Sequence, residues 1–268
     1  MSSTLSQRDP KTIAAILARF LAVLAIPVFL TACTTTGPVG PDGVFDPYEK
    51  TNRRIHERNK AVDRAVLRPL AIGYNEHVPP GLRDSISNFS VNFQTPGMIV
   101  NNLLQMNGED ALVNTLRFVL NTTLGLGGLV DVAGMNGVPA RDTDFGETLH
   151  FWQVGEGAYL ELPMMGPSTQ RDLAGRVADF FTNPLRVIVP APYKYAGTGS
   201  RLVERIGVRG RFMNTFDSVL YDSADSYAQT RNAYLQKRRF ELGGDEAGSD
   251  PYLDSYGASN PYEDPYSE

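Results

Sequence analysis

The chain has 268 residues, 42% of them hydrophobic and 21% charged, with a formal net charge of −5. That composition can fill a core and excludes wholesale disorder, and a net negative charge argues against nucleic acid as a partner. The single Cys excludes a disulfide framework or a Cys-ligated cluster, and three scattered His (His56, His77, His150) speak against a His-based metal site.

The N-terminus reads as a targeting segment, residues 1–32. Arg8 and Lys11 precede an apolar stretch from Ile13 to Leu30 that Arg19 and Pro27 interrupt, the layout of a charged n-region and an h-region. As a membrane span it fails. Arg19 is costly in hydrocarbon, and the uncharged run Phe20 to Leu30 cannot cross a core of about 30 Å. The segment ends Leu30-Thr31-Ala32-Cys33. A Leu-x-small-Cys ending resembles the lipobox of bacterial lipoproteins, which implies an acylated Cys33 as the first mature residue. An ordinary signal peptide cut nearby, with Cys33 a spare thiol, is the alternative. Several acyl chains on one residue make anchoring stable, at about 0.8 kcal/mol per buried CH₂. Thr34 stands where an Asp would suggest inner-membrane retention, so the outer membrane, facing the periplasm, is the expected address.

Residues 33–45 form a Thr/Gly/Pro tether. Asp46-Pro47-Tyr48-Glu49 then reads as a helix start, with Asp46 as cap and Pro47 at the first helical position. The helix is expected to stop at Pro69. It carries an apolar stripe of Tyr48, Ile55, Val62 and Val66, and a basic series of Arg53, Arg54, Arg58, Arg64 and Arg68 that is either a solvated face or a contact for anionic head groups or a partner. Pro79-Pro80-Gly81 breaks the chain, and Leu82, Ile86, Phe89 and Phe93 mark the next helix. Thr95-Pro96-Gly97 is expected to interrupt it before Met98 to Gln105. Asn107 opens a further helix with Leu112, Leu116, Val119 and Leu120 on one face.

Between Arg117 and Arg141 the only charge is Asp131, and Gly125, Gly127, Gly128, Gly134 and Gly137 punctuate the stretch. This is too rich in glycine for one good helix and too often broken for a strand. Position 130 is Val where a dinucleotide fingerprint needs Gly. What remains is an uncharged, pliable hairpin, either immersed in lipid or buried inside the domain. Phe151, Trp152 and Tyr159 suit an interfacial belt or a core. Tyr159 to Leu162 alternates like a short strand with little to pair with. Pro167-Ser168 is expected to cap a helix that Asn183-Pro184 ends. The last helices span about 201–221 and 225–242, the second capped by Ser223 or Asp225 and stopped by Gly243-Gly244. Residues 243–268 hold seven acidic residues and no basic one, a tyrosine- and proline-rich tail expected to be disordered.

Five segments in order behind the lipobox carry a resemblance: DPYEKTNR (46–53), SNFSVNFQTPGMIVNNLLQ (87–105), RFVLNTTLGLGGLVDVAG (117–134), FGETLHFWQVGEGAYLELPMMGPSTQRD (145–172) and SYAQTRNAYLQKRR (226–239). Over about 46–242 the chain resembles the MlaA (VacJ) outer-membrane lipoproteins. The resemblance implies a mainly α, ring-shaped single domain lying in one leaflet, the inner leaflet of the outer membrane, with a central amphipathic channel. It implies retrieval of phospholipid misplaced in the outer leaflet and its delivery to the soluble carrier MlaC. It also implies association with trimeric porins, and the outcome is preserved lipid asymmetry. On that picture Leu112, Leu116, Val119, Leu120 and Trp152 are the membrane-facing candidates. Gly125, Gly127 and Gly128 are candidates for a gate, and Asp131, Arg141, Asp142 and Asp144 for the polar wall of the channel; Asp131 capping a local turn is the alternative. No cofactor and no enzymatic activity are expected. A lipase would want Gly-x-Ser-x-Gly, and no Ser sits in that frame. A structural or porin-associated lipoprotein that passes no lipid is the rival reading.

Overall fold

The computed structural model describes residues 43–192 and 195–243. The leader, Cys33, most of the tether and the acidic tail lie outside them. The architecture is mainly helical, and among the described residues no helix is long and apolar enough to cross a membrane.

Helix α1 (Glu49–Val62) runs through a π-helical turn (Asp63–Leu67) into α2 (Arg68–His77). Pro69 therefore does not end the helix. It sits in the first turn of α2, just after the wider π-turn, where its missing N–H costs least. Asp46 does not cap α1 either. Its carboxylate accepts from Asn52 Nδ2 (2.9 Å), Arg231 Nη1 (3.0 Å) and the Tyr227 hydroxyl. The apolar stripe is not the buried face: Tyr48 and Val66 are exposed, Ile55 and Val62 half-buried, and the inward face is Asn52, His56 and Asp63.

Pro80 opens α3 (Pro80–Leu104), which passes through Pro96 unbroken. The backbone around that gap is held by side chains: Thr95 Oγ1 donates to Val91 O (3.0 Å) and Asn183 Nδ2 to Phe93 O (3.1 Å). Then come α4 (Gly108–Thr123), the one-turn α5 (Val132–Met135) and α6 (Phe145–Phe151). The expected strand exists and has a partner, since β1 (Tyr159–Leu162) pairs antiparallel with β2 (Gly166–Thr169). Its other edge is closed by α1 instead of a third strand. Asn52 Nδ2 donates to Tyr159 O (3.1 Å), Asn52 Oδ1 accepts from Glu161 N (3.1 Å), and Asn59 does the same for Leu162 O and Met164 N.

Ser168 lies in β2, so the cap of α7 (Gln170–Thr182) is Thr169, whose hydroxyl accepts from Asp172 N (3.2 Å). Asn183 caps α8 (Pro184–Ile188). The region expected as one helix over 201–221 is α9 (Ala196–Arg211), α10 (Met213–Asp217) and a second π-turn (Ser218–Asp222). Asp225 caps α11 (Ser226–Glu241) by accepting from Ala228 N (3.0 Å).

The apolar core is two small knots. Val44, Tyr159, Tyr227 and Leu235 form one, Phe145, Leu149 and Ala178 the other. Tyr159 is thus core and not belt. Beside the second knot α6 and α7 touch backbone to backbone: a Cβ on Gly175 would stand 2.3 Å from Gly146 N, so no larger residue fits.

Arg53 joins α1 to α11 by two hydrogen bonds to the Asp225 carboxylate (3.0 and 2.9 Å). Those bonds, and then the Ala228 N–H, hold the Asp225 carboxyl down to about 2. A depressed acid contributes stability above its ordinary value and loses it as pH falls through the folded one. Both side chains are roughly half exposed, so the contribution is below about 1 kcal/mol. Thermal unfolding of wild type and Asp225→Asn should accordingly differ slightly at pH 6, and the difference should close between pH 4 and 2.

Candidate functional site

Two helices, α3 and α4, bury largely polar faces and expose apolar ones. On α3, Ser90, Asn92, Thr95, Asn101 and Asn102 are buried while Leu103 and Leu104 are exposed. On α4, Asn114, Arg117 and Asn121 face inward, and Leu112, Leu116 and Val119 are 71%, 47% and 49% exposed. Leu120 is half-buried. In water such an arrangement forfeits burial of apolar surface. In hydrocarbon it is the stable one, because polar groups must find partners inside the protein.

Asn107 starts α4 by accepting from Asp110 N (3.1 Å). Beyond its end, the glycine hairpin is clasped from within. Arg117 Nη2 lies 2.9 Å from both Asp131 oxygens, and Arg117 Nη1 donates to Val138 O. Asn121 Nδ2 donates to Asp131 (2.8 Å), and Asn121 Oδ1 accepts from Ala133 N (2.9 Å). Asp131 also caps α5 through Gly134 N (3.0 Å). Burial raises the Asp131 carboxyl pKa, but Gly134 N, Asn121 and Arg117 outweigh it and hold it below the usual range. Asp131 is a fastened cap with its oxygens already engaged.

The hairpin rests on α3 at Gly128. There φ is +95°, and a Cβ would stand 2.5 Å from Asn92 Nδ2. Gly125 packs as tightly, against Val130 O, while Gly127 has open space around it. The hairpin turns its large side chains outward: Leu124, Leu126, Leu129 and Met135 are exposed. They continue the outer face of α4 into one apolar rim with Met106 and Trp152. Trp152 is anchored by Nε1 to Leu104 O (3.1 Å) and meets Phe151 edge-on at 5.6 Å, an apolar ring with a satisfied N–H.

The other polar candidates follow one another on the segment before α6 and take different partners. Arg141 is exposed and paired with Asp110 (3.0 Å), and its carbonyl accepts from Asn114. Asp142 is exposed. Asp144 caps α6 through Glu147 N (2.8 Å) and accepts from Arg238 Nη2 (2.7 Å). Near them Gln105, Glu147, His150, Phe151, Gln153 and Leu242 line a cavity of about 350 Å³. That volume takes a head group's worth of solvent, roughly a dozen waters of about 30 Å³. Burial pushes the Glu147 carboxyl up; it pushes His150 down, and Arg171 adds to that.

Sequence reasoning missed the ionic clasps that fill the interior. Arg238 pairs with Asp172 and Asp144, Arg209 with Asp63 and Asp217, and Arg231 with Asp46. Asp217 is eight positions from Arg209, but the other partners lie 66 to 185 positions apart and leave no local signature. It also missed a row of Ser226, His56 and Glu161, with His56 Nε2 3.1 Å from Ser226 Oγ and Nδ1 3.4 Å from Glu161. The row has the order of a hydrolase triad, but all three side chains are buried. Tyr159 OH and Lys60 Nζ complete it as a joint between α1, β1 and α11.

The MlaA lipoprotein family profile matches residues 44–241. The intermembrane phospholipid transport system lipoprotein MlaA of Escherichia coli is 35% identical over 231 residues, covering 84% of this chain and 90% of its own. The protein of the same description from Haemophilus influenzae is 31% identical over 201 residues, 74% of this chain and 79% of its own. An uncharacterized protein of Rickettsia felis is 37% identical over 196 residues, 73% and 77%. One solved structure, determined as the structural basis for maintenance of bacterial outer membrane lipid asymmetry, matches with a TM-score of 0.63 at 34% identity. It covers 74% of this chain and 98% of that one.

Proposed function

The chain belongs to the MlaA lipoprotein family, and on that premise we propose that it moves phospholipid between membranes as an outer-membrane lipoprotein. In this reading Cys33 carries the acyl anchor and the domain lies in the inner leaflet, facing the periplasm. Phospholipid misplaced in the outer leaflet passes through a hydrated route in the domain to the carrier MlaC, beside a porin trimer. Lipid asymmetry is thereby kept.

The observation that carries the reading is the inverted distribution of polarity. A phospholipid needs hydrocarbon for its chains and hydration for its head. Leu112, Leu116, Val119, Leu126 and Trp152 offer the first at the outer surface, and the buried polar faces of α3 and α4 offer the second. None of the described helices that carry the apolar rim is long and apolar enough to span, which suits a protein immersed to about the depth of one leaflet. The Gly125–Gly128 turn joins both, resting on Asn92 with Leu124, Leu126 and Leu129 outside, and we assign it the gate. Passage needs no energy source here, since a lipid on a passive path follows the free-energy difference between leaflets.

Deleting the gene and labelling surface phospholipid in intact cells tests this. Outer-leaflet phospholipid is expected to rise on deletion and to be restored by wild type but not by Cys33→Ala. An unchanged surface would leave the structural, porin-associated lipoprotein as the reading.

A further inference from the structure

Many of the arginines inside this protein are matched to carboxylates: Arg117, Arg209, Arg231 and Arg238 each hold at least one. Arg186, Arg201 and Arg205 hold none among the described residues. Arg186 Nη1 reaches only Thr198 Oγ1 (3.4 Å), and Arg201 Nη2 donates to the neutral Gln94 Oε1. The three come together nonetheless. Thr198 lies in the first turn of α9, which places Arg186 of α8 against the start of that helix. Arg201 and Arg205 follow one turn apart on the same helix face.

Two acids stand close, and both are committed elsewhere. Asp179 accepts from Asn101 Nδ2 (2.9 Å) and Phe145 N (3.2 Å), and Glu204 from Ser90 Oγ (2.6 Å). Arg201 is exposed to solvent, yet surrounding protein is the first cause lowering its proton affinity and the charge of Arg186 the second; Asp179 pulls the other way, Arg205 lowers it again, and Glu204 offsets it least. Like charges gathered with no carboxylate in contact repel one another, and an anion would turn that cost into attraction.

The flanks are apolar. The Arg186 guanidinium lies 4.7 Å over the Phe180 ring, and Phe180 meets Phe181 edge-on at 5.3 Å. Phe180, Phe181, Leu202 and Ile188 are all exposed. Planar guanidinium forks match phosphate oxygens better than any other side chain. We propose that Arg186, Arg201 and Arg205 form a binding site for a phosphate anion, seating the phosphodiester of a phospholipid while Phe180, Phe181 and Leu202 lie along its chains. This names the substrate group at one point of the transport route and rests on that reading.

Native mass spectrometry of the full-length acylated protein in detergent provides the test. It would be titrated with phosphatidylglycerol, with diacylglycerol of the same chains, and with inorganic phosphate as competitor. The Arg201→Gln/Arg205→Gln variant is expected to bind phosphatidylglycerol about tenfold more weakly, the scale of one or two lost charge-assisted hydrogen bonds. Its diacylglycerol binding should be unchanged, and Arg201→Lys should keep most of the affinity. Should the double variant unfold, Arg186→Gln alone carries the same readout. Equal losses for both lipids, or no loss for either, overturn the site. Displacement of phosphatidylglycerol by inorganic phosphate at equal concentration keeps the phosphate site but removes the lipid from it. An unchanged surface phospholipid level on gene deletion takes down the transport reading, whereas unaltered lipid binding by the variants takes down this inference alone.

Discussion

Replacing Asp172 with alanine is expected to cost about 3–5 kcal/mol, because it leaves a buried charge without its partner. Asp172 is 4% exposed and receives Arg238 from two nitrogens at 3.2 Å together with the Tyr234 hydroxyl. Arg238 would keep Asp144 and a longer contact to Glu241 (3.4 Å), both of them much more exposed carboxylates. Arg171, also buried, would lose its nearest carboxylate at 3.8 Å. For a domain of this size the loss corresponds to a drop in Tm of roughly 10 °C, read by thermal unfolding in detergent or as lost abundance in cells. Burial is the first influence on Arg238 and lowers its pKa, but Asp144 and Asp172 overcome it and raise the value above the ordinary arginine one. Arg238 therefore stays charged across the accessible pH range. Asp172→Leu combined with Arg238→Met should recover much of the stability, since a buried pair can be exchanged for apolar residues at little cost. A drop under about 2 °C for Asp172→Ala would mean that water or a neighbouring acid takes over the arginine.

The second large effect is expected at Gly128. Gly128→Leu asks for a side chain at φ +95° and drives its Cβ into Asn92, so the hairpin must lift from α3. If the hairpin is the gate, surface phospholipid should rise to the level seen on deletion while the protein remains abundant and porin-bound. Gly127→Leu is the matched comparison. Its Cβ meets open space, so it carries only the backbone penalty of about 1–2 kcal/mol for a positive φ and should impair retrieval less. Normal retrieval by an abundant Gly128→Leu protein would make the hairpin a wall. Asp131 is a poor choice for this test: Arg117, Asn121 and Gly134 all depend on it, so its loss would disturb the fold before it touched a lipid.

Much of the local structure is legible in the sequence because it is set by chemistry a few residues wide. Asn107 and Asp225 begin α4 and α11, Asn183-Pro184 divides α7 from α8, and Pro79-Pro80 separates α2 from α3. The readings that failed share one cause. Pro69 and Pro96 look like stops, but a π-turn accommodates the first and Thr95 and Asn183 hold the backbone at the second. Asp46 has the spacing of a cap, and distant Arg231 and Tyr227 claim it instead. The strand 159–162 seemed unpaired because its partner is the short Gly166–Thr169, which has no strand-like alternation, and because its second edge is closed by asparagine side chains of α1. In each case the deciding contact is one that spacing along the chain does not display.

By itself the sequence determined the mainly helical class, the order of most helices and the family, since spacing, caps and contiguous segments are written along one dimension. It also marked which faces are apolar, as for Leu112, Leu116 and Val119. Only the tertiary structure decided that those faces point outward. Periodicity shows that a helix has two sides, and the surrounding medium chooses which side is buried. Here polar side chains meet inside, Arg117 on Asp131, Arg209 on Asp63 and Arg238 on Asp172. Their pairing satisfies in the interior what water would otherwise satisfy at the surface, leaving the apolar faces free for lipid.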